Sequence, residues 1–363
     1  MTPRFLAAVG ALALAAAIPA APAAAQTQAA APAPPPANWK APRNAFGQPD
    51  LQGVWTNATI TRLEREARYG DRLALSEAEV AGLEGANAAT FAVHAAPTKA
   101  ETKVDDLPAC PSGSTGPTCG YNMFWVDPGT QVMRVKGQPR TSIITEPKNG
   151  QLPFTREALA RARGRQGNAQ VGNFDGPERR PLAERCIVAF GSSSGPPMLP
   201  VLYNNHYQIV QSKDEVLILV EMVHDTRIVR LNDKHKPGHV RQWMGDSIGR
   251  WEGDTLVVET VNFRPEQAFR GATGDLKVVE RFTRVSPTEI NYQFELVDPA
   301  TFSQPVKGEE AWRAAKGPVH EYACHEGNYA LPGILAGARE EERKGREMEG
   351  NRGAVREEGE GED

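Results

Sequence analysis

The second half of the chain constrains its fold most strongly. After Pro200, short runs of β-branched and aromatic residues alternate with turn-forming residues, as they do in antiparallel hairpins. Few helical patterns lie between these runs, so a meander that curls into a barrel is more economical than a parallel sheet. We therefore predict a mainly β fold with an antiparallel β-barrel in this half. The predicted strands are 201–211, 216–231, 255–263, 277–284 and 290–297, with a possible closing strand at 319–324.

The first half is predicted to be a loop-rich segment with a few short helices. A short apolar run around 51–55 is expected to form one strand. Ser76 and Glu79 form a capping box at the start of a predicted helix over 75–91. A second, basic helix is predicted over 155–165, with the threonine at its first position as the cap.

Two stretches without periodicity interrupt this half. Residues 95–122 are predicted to form an irregular excursion, and residues 167–200 are rich in Gly, Pro and Arg. A loop as long as the second stretch is uncommon in a compact domain and is often functional. For the second stretch, a strap packed over the mouth of the barrel is an equally good interpretation.

The N-terminal residues have the pattern of a cleavable signal peptide. Arg4 supplies a positive charge, and the apolar stretch 5–18 is shorter than the roughly 20 residues that a membrane helix needs. The alanines at 23–25 form a small-residue cleavage pattern. We therefore expect a periplasmic or secreted protein. The predicted organisation is a signal peptide (1–25), a Pro/Ala linker (26–38), a single globular domain (39–337, with a loop/helix part 39–200 and a β-barrel part 201–337) and a charged disordered tail (338–363).

The charge of the chain excludes some classes of partner. The formal net charge is -4, it is partly set by the acidic tail, and no basic stripe is present. Nucleic acid is therefore not an expected partner. Membrane insertion is not expected after the signal is cleaved. A small-molecule ligand or substrate is the predicted partner, and the sequence leaves the oligomeric state open.

The chain has 4 cysteines, and an even number in an exported protein favours disulfides over free thiols. Cys110 and Cys119 bracket a Pro/Gly/Ser loop and are predicted to pair locally. Cys186 and Cys324 would then join the start of the later β region to its end, a loop closure worth on the order of 4 kcal/mol. The alternative is that Cys324 is a nucleophile beside His325.

Polar residues inside the predicted strand 216–231 indicate acid–base chemistry. His224 and Asp225 lie in an otherwise apolar run, and a carboxylate that fixes the tautomer of a histidine prepares it for proton transfer. A hairpin would place His206 across from one of them. Because adjacent residues of a regular strand face opposite sides, catalysis by both requires a break in the ladder near 223–226. The alternative is a satisfied core histidine beside a ladder of surface salt bridges.

Further residues are predicted to bind the substrate. Arg227 would hold a substrate oxygen. Glu259 and Glu280 lie in the middle of apolar strands, where a carboxylate either has a raised pKa or pairs with an arginine. Aromatic side chains would form the apolar walls. The predicted substrate-binding residues are Tyr207, Arg227, Trp251, Glu259, Glu280 and Tyr292.

The sequence gives little support to a metal or a nucleotide cofactor. His320, His325 and Glu326 lack the tight helical spacing of zinc proteases. No Gly-rich phosphate loop follows a predicted strand, and no Gly-x-Ser-x-Gly elbow occurs. We therefore predict no metal and no cofactor.

A Gly-x-Trp motif occurs twice, at 53–55 and at 249–251. The second, followed by Gly253-Asp254-Thr255-Leu256-Val257-Val258-Glu259, resembles the strand openings of calycin-type barrels, the lipocalins and their relatives. In that group the glycine permits close approach of the backbone and the indole closes one end of the barrel. The mature chain also resembles exported bacterial proteins of unknown function in which a segment like 49–55 precedes a β-rich half.

These observations predict an exported, cofactor-independent enzyme, an isomerase or lyase, that acts on a small organic molecule in a barrel cavity. His206 and His224 would carry protons and Asp225 would orient them. One alternative is a periplasmic calycin-like binding protein for a small apolar ligand, and another is a cell-envelope interaction module. An enzyme needs histidine and carboxylate within hydrogen-bond reach in one cavity, whereas a binding protein does not.

Overall fold

The computed structural model describes residues 39–94, 127–168, 174–189, 193–324 and 329–344. The predicted signal peptide, the predicted Cys110–Cys119 bridge and the predicted excursion 95–122 lie outside the described residues, as does most of the predicted tail. Within the described part the chain is mainly β. Its strands are β1 (Gly53–Thr56), β2 (Arg134–Val135), β3 (Gln138–Pro139), β4 (Ile144–Glu146), β5 (His206–Gln211), β6 (Glu215–Val220), β7 (Thr226–Leu231), β8 (Asp246–Glu252), β9 (Thr255–Val261), β10 (Lys277–Ser286), β11 (Glu289–Val297) and β12 (Val306–Ala314), and its helices are α1 (Glu77–His94), α2 (Arg156–Asn168) and α3 (Ala330–Arg343).

Nine strands form a closed barrel. The hydrogen-bonded order runs from β1 to β5 and then in sequence to β12, which pairs back onto β1. Closure places Trp55 opposite Ala314 and Thr56 opposite Arg313. The short strand β4 pairs with the first residues of β12. The barrel therefore has eight strands from the second half of the chain and one, β1, from the first half.

The barrel is mixed, so the prediction of a purely antiparallel barrel is wrong. β7 and β8 pair in parallel through Val229–Leu231 and Ser247–Gly249, whereas the other neighbours around the barrel are antiparallel. A parallel pair needs a connection long enough to return the chain to the starting end. Residues 232–245 between the two strands make that return.

The predicted strand 216–231 is two strands, β6 and β7. The residues between them turn the chain sharply, with φ of 60° at Val223 and 47° at His224. The predicted strand 201–211 begins only at His206, and residues 319–324 form no strand. The barrel is closed by β12 instead, a strand that the sequence hides because charged residues interrupt its apolar alternation.

The second Gly-x-Trp motif ends a strand and does not open one. Gly249 and Trp251 lie in the last half of β8, just before the turn to β9. A Cβ atom on Gly249 would lie 2.7 Å from the Val229 side chain, so the parallel pairing with β7 requires a glycine here. The first motif, at 53–55, opens β1 as predicted.

Two predicted helix starts are confirmed. At the start of α1, the Ser76 amide donates to the Glu79 carboxylate at 2.8 Å and the Glu79 amide donates to the Ser76 hydroxyl at 3.3 Å. At the start of α2, the Ala158 amide donates to the hydroxyl of Thr155 at 3.1 Å. None of the helices in the described ranges is long and apolar enough to cross a membrane.

Aromatic side chains pack across the interior of the barrel. Tyr207 and Trp312 stack with ring centroids 4.5 Å apart, and Tyr292 lies 4.9 Å from Trp312. A buried segment around 193–199 packs onto this cluster. The hydroxyl of Tyr207 donates to the carbonyl of Ser193 at 3.0 Å, and the amide of Met198 donates to the hydroxyl of Tyr292 at 3.0 Å. This part of the stretch 167–200 therefore fits the interpretation of a strap.

Candidate active site

An ion pair lies inside the barrel, where several predicted substrate-binding residues meet. Arg227 and Glu280 are 1% and 0% exposed, and two hydrogen bonds of 3.0 and 2.6 Å join them. The Tyr292 hydroxyl donates to Glu280 at 2.9 Å. Arg227 also donates to the hydroxyls of Ser247 and Thr260 at 3.4 Å. The paired outcome predicted for an interior carboxylate is therefore the one found at Glu280.

The charges of this interior network are fixed by its own members. Burial alone would lower the pKa of Arg227, but the charge of Glu280 raises it, so the guanidinium stays protonated. Burial raises the pKa of Tyr207 and of Tyr292 far above that of a free phenol. Both tyrosines therefore stay neutral at physiological pH and act as hydrogen-bond donors.

A second interior carboxyl, Glu310 on β12, was not predicted. Burial raises its pKa from 4.5 to about 8, although hydrogen bonds from Trp312 and Asn57 oppose the shift. Those bonds are 2.9 and 3.3 Å long and both reach Oε2. Within the described residues Oε1 has no hydrogen-bond partner. Glu310 is therefore mostly protonated at pH 7. Its place in the interior is hard to recognise from the sequence, because charged residues mask the pattern of β12.

The rim of the barrel holds a different kind of pair. Nδ1 of His206, at the start of β5, lies 2.7 Å from Oε2 of Glu221, just after β6. The imidazole is 25% exposed, whereas the carboxylate is 2% exposed. The other oxygen of Glu221 accepts a hydrogen bond of 2.9 Å from the backbone amide of His320. We call His206, Glu221 and the His320 amide the rim site.

The rim site leaves one imidazole nitrogen available. The hydrogen bond to Glu221 is the main cause that raises the pKa of His206. Burial would raise the pKa of Glu221, but the bonds from His206 and the His320 amide lower it overall. The ionised carboxylate therefore accepts from Nδ1–H. Nε2 of His206 has no hydrogen-bond partner in the described part of the chain, so it is the atom that can take or give a proton.

The backbone beside the rim site is in an unusual conformation. Val223 and His224 both have positive φ, a region that a β-branched residue rarely occupies. Such conformations cost on the order of 1–3 kcal/mol each and cluster at functional sites. Catalysis by both His224 and Asp225 requires a break in the strand ladder. Such a break is present here, between β6 and β7.

The three predicted catalytic residues lie at the same end of the barrel but do not bond to one another. Backbone hydrogen bonds join Glu221 to His206 and Val220 to Asp225. Burial raises the pKa of Asp225, against the effect of hydrogen bonds from the Ser194 hydroxyl (2.5 Å) and a backbone amide. His224 is exposed. The carboxylate that orients His206 is therefore Glu221, not Asp225.

Two predicted substrate-binding residues lie away from both networks. Glu259 is on the outer face of β9, where it pairs with Lys277 and His235. Burial opposes its ionisation, but these partners lower its pKa overall. Trp251 is partly buried beside the turn between β8 and β9. Neither residue contributes a hydrogen bond to the interior ion pair or to the rim site.

The sequence did contain a signal for the partner of His206. In the β5–β6 hairpin Gln211 lies opposite Val216 and Tyr207 lies opposite Val220. Counting one residue further places His206 opposite Glu221. Interpretation of 216–231 as one continuous strand hides this pair, because the turn that follows Glu221 is then overlooked. Register counting from the turn would have separated it from the residues that follow.

The predicted disulfide Cys186–Cys324 is present, with the two Cα atoms 6.1 Å apart. It removes Cys324 as a free thiol, so the alternative of a cysteine nucleophile is wrong. The bridge also anchors the end of the segment that supplies the His320 amide to Glu221. Among the residues that the structure describes, no group of three or more His, Cys, Asp or Glu side chains is arranged to hold a metal ion.

The closed barrel confirms the prediction of a barrel. The described residues do not identify it as a calycin, because β7 and β8 pair in parallel and the second Gly-x-Trp motif ends a strand. A fold by itself does not specify a function, whereas the chemistry of a site does. Comparison with known proteins adds no further assignment, since no protein-family model, no curated protein and no solved structure matches this chain.

Proposed function

We propose that this chain is an exported, cofactor-independent enzyme that moves a proton on a small organic molecule, as an isomerase or a lyase does. The observation that supports this most is the pairing of a half-buried imidazole with an almost fully buried carboxylate at 2.7 Å. This arrangement fixes the tautomer of His206 and stabilises its protonated form.

The chemical step that this pair supports is a proton transfer without redox change. Neutral His206 accepts a proton from the substrate at Nε2 while Nδ1–H remains bonded to Glu221. The imidazolium that forms is stabilised by the adjacent carboxylate. It then returns the proton to a different atom of the substrate in an isomerase, or to the leaving group in a lyase. The proton count balances in both reactions.

The rim is a better place for this chemistry than the interior. The interior ion pair has its charges matched and its members almost fully buried, and aromatic rings pack against it. At the rim, by contrast, His206 is partly exposed. We therefore move the proposed reaction from a barrel cavity to the rim and assign the orienting role to Glu221. The same packing argues against the alternative in which a small apolar ligand occupies the barrel.

The disulfide supports the proposed location. Cys186 and Cys324 are 138 residues apart in sequence, and structural bridges of this kind form and persist in oxidising compartments. The predicted signal peptide and this bridge point to the periplasm or the medium. Detection of the bridge in periplasmic material, by peptide mapping without reduction, would test the location independently of the activity.

Deuterium exchange tests the proposed activity without knowledge of the product. The purified protein would be incubated in D2O with a panel of carbonyl compounds and hydroxy acids, and deuterium uptake would be followed by NMR. We expect uptake into at least one compound, and a loss of about 100-fold or more in His206→Gln, since general acid–base catalysis contributes about this much. Glu221→Gln should also be impaired.

A matched control uses another histidine. His239 is exposed and lies outside the rim site, so His239→Gln should retain the exchange rate of the unmodified protein. Equal rates in His206→Gln and His239→Gln would reject His206 as the proton carrier. Absence of exchange with every compound, together with loss of His206 pairing in solution, would leave the binding-protein alternative ahead.

A further inference from the structure

A groove of about 600 Å³ lies on the outer face of β7. It forms because β7 and β8 pair only through Val229–Leu231 and Ser247–Gly249. The first residues of β7 therefore diverge from the segment that precedes β8. The groove is lined by residues of β7, of the β7–β8 connection, of the start of β8 and of the loop after β9. Glu215 on β6 also lines it.

The walls of the groove carry more positive than negative charge. Arg230 is held by Asp246 and Asp233, and Arg241 is held by Asp275. Those three acids are therefore already paired with arginines. Burial would raise the pKa of Asp246, but its donors lower it to about 2, so it stays ionised and bound to Arg230 at neutral pH.

Two further cations of the groove have no acidic partner. Lys236 and Arg264 are both exposed, and within the described residues neither forms an ion pair. The Lys236 ammonium lies 3.0 Å from the side-chain amide of Gln242. The Arg264 guanidinium lies over the Trp243 ring, 4.4 Å from its centroid. An amide and an aromatic face leave both charges available to an anion.

The groove also has an apolar wall. Ile228 on β7 is 51% exposed, which is unusual for a large aliphatic residue on this barrel. Trp243 and Met244 line the groove with it. At the inner side lies Arg227, whose buried Nε has no hydrogen-bond partner among the described residues. Apolar walls with a few convergent polar groups are typical of small-molecule sites.

We propose that this groove binds a small organic anion with an apolar body, such as an aryl or alkyl carboxylate. The anionic group meets Lys236 and Arg264, and the apolar body lies along Ile228 and Met244. This site uses none of the atoms of the rim site, so it stands or falls independently of the proposed enzyme activity.

Two probes of the same shape test the inference. 2-Naphthoate carries the negative charge and 2-naphthamide does not, and both can be titrated into the full chain by calorimetry and by NMR of the Trp243 indole. We expect 2-naphthoate to bind at one site, at least 10-fold more tightly than 2-naphthamide. Its affinity should fall as salt is added, because exposed charges are screened.

Variants separate the charge from the apolar wall. Lys236→Gln and Arg264→Gln should each weaken 2-naphthoate binding about 5- to 10-fold, while Lys213→Gln, an exposed lysine outside the groove, should not. Ile228→Ser should weaken both probes. Absence of saturable 2-naphthoate binding at millimolar concentrations, or equal affinity in the Lys236, Arg264 and Lys213 variants, would overturn the proposal.

Discussion

The interior and the rim of the barrel each hold a carboxylate paired with a basic side chain, yet the two pairs differ in what they leave free. In the interior, Glu280 accepts from Arg227 and from Tyr292, and all three are almost fully buried. At the rim, Glu221 is equally buried but its partner His206 is partly exposed. The interior pair can only stabilise a shape, whereas the rim pair can exchange a proton.

The difference follows from the chemistry of the bases. A guanidinium is charged at every physiological pH and cannot act as a proton carrier. An imidazole changes its charge between about pH 5 and 8, and a neighbouring carboxylate tunes that change. Burial of a carboxylate beside either base has a cost in desolvation. Only at the rim does the buried carboxylate have a partner, the imidazole of His206, that can exchange a proton.

The largest expected effect is in the interior. Glu280→Leu removes the negative charge and leaves the buried Arg227 guanidinium uncompensated, which costs about 3–5 kcal/mol of unfolding free energy. Urea denaturation measures it. The double variant Arg227→Met with Glu280→Leu should recover most of the loss. Glu252→Gln, which removes a carboxylate from an exposed cluster with Arg250 and Arg281, should leave stability nearly unchanged. A similar loss of unfolding free energy in Glu252→Gln and Glu280→Leu would show that the interior ion pair matters no more to stability than an exposed one.

The next largest expected effect is the loss of stability when the Cys186–Cys324 disulfide near the rim is removed. Replacement of Cys186 and Cys324 by serine removes a constraint on the unfolded chain across a separation of 138 residues, which is worth about 2–4 kcal/mol. Thermal and urea unfolding with and without reductant measure it. The near-ultraviolet circular dichroism of the interior aromatic cluster should persist. If that signal disappears at 25 °C, the packing of the interior depends on the disulfide, and the interior and the rim are not independent of each other.

A smaller effect is the pH dependence that Glu310 imposes. Its pKa is 4.5 ordinarily and about 8 in the folded protein, so the unfolded chain releases this proton first. The stabilisation that protonated Glu310 contributes is fully present below about pH 4.5 and is lost as the pH rises towards 8. Between pH 6 and 7.5 the loss is about 2 kcal/mol. Glu310→Gln should remove this part of the slope, and an unchanged slope would show that Glu310 is ionised in the folded state.

Local features of the fold were predictable because neighbouring residues determine them. The capping box at Ser76 and the cap at Thr155 depend on three or four residues each, and both are confirmed. The β-branched runs that became β9, β10 and β11 were also located from their composition. The Cys186–Cys324 bridge was inferred from pairing the remaining cysteines, and the structure contains it.

Features that depend on closure were not predictable in the same way. The parallel pairing of β7 with β8 follows from the path of residues 232–245, which has no periodic signature. β12 is hard to recognise in the sequence because its inward residues include a glutamate, Glu310, whose burial is tolerated once its carboxyl is protonated. The sequence predicts that an interior glutamate pairs with Arg227, Arg230 or Arg281, and only the closed barrel shows that Arg227 is the partner of Glu280.

The most direct test of the account is the titration of His206 in solution. Its imidazole resonances, assigned by their absence in His206→Gln, can be followed by NMR from pH 5 to 9 in the unmodified protein and in Glu221→Gln. The hydrogen bond to Glu221 raises the pKa of His206 above the ordinary 6.5. We expect Glu221→Gln to lower this pKa and Asp225→Asn to affect it less. A pKa at or below 6.5 in the unmodified protein, unchanged in Glu221→Gln, would show that the rim pair does not form and would contradict the proposed proton carrier.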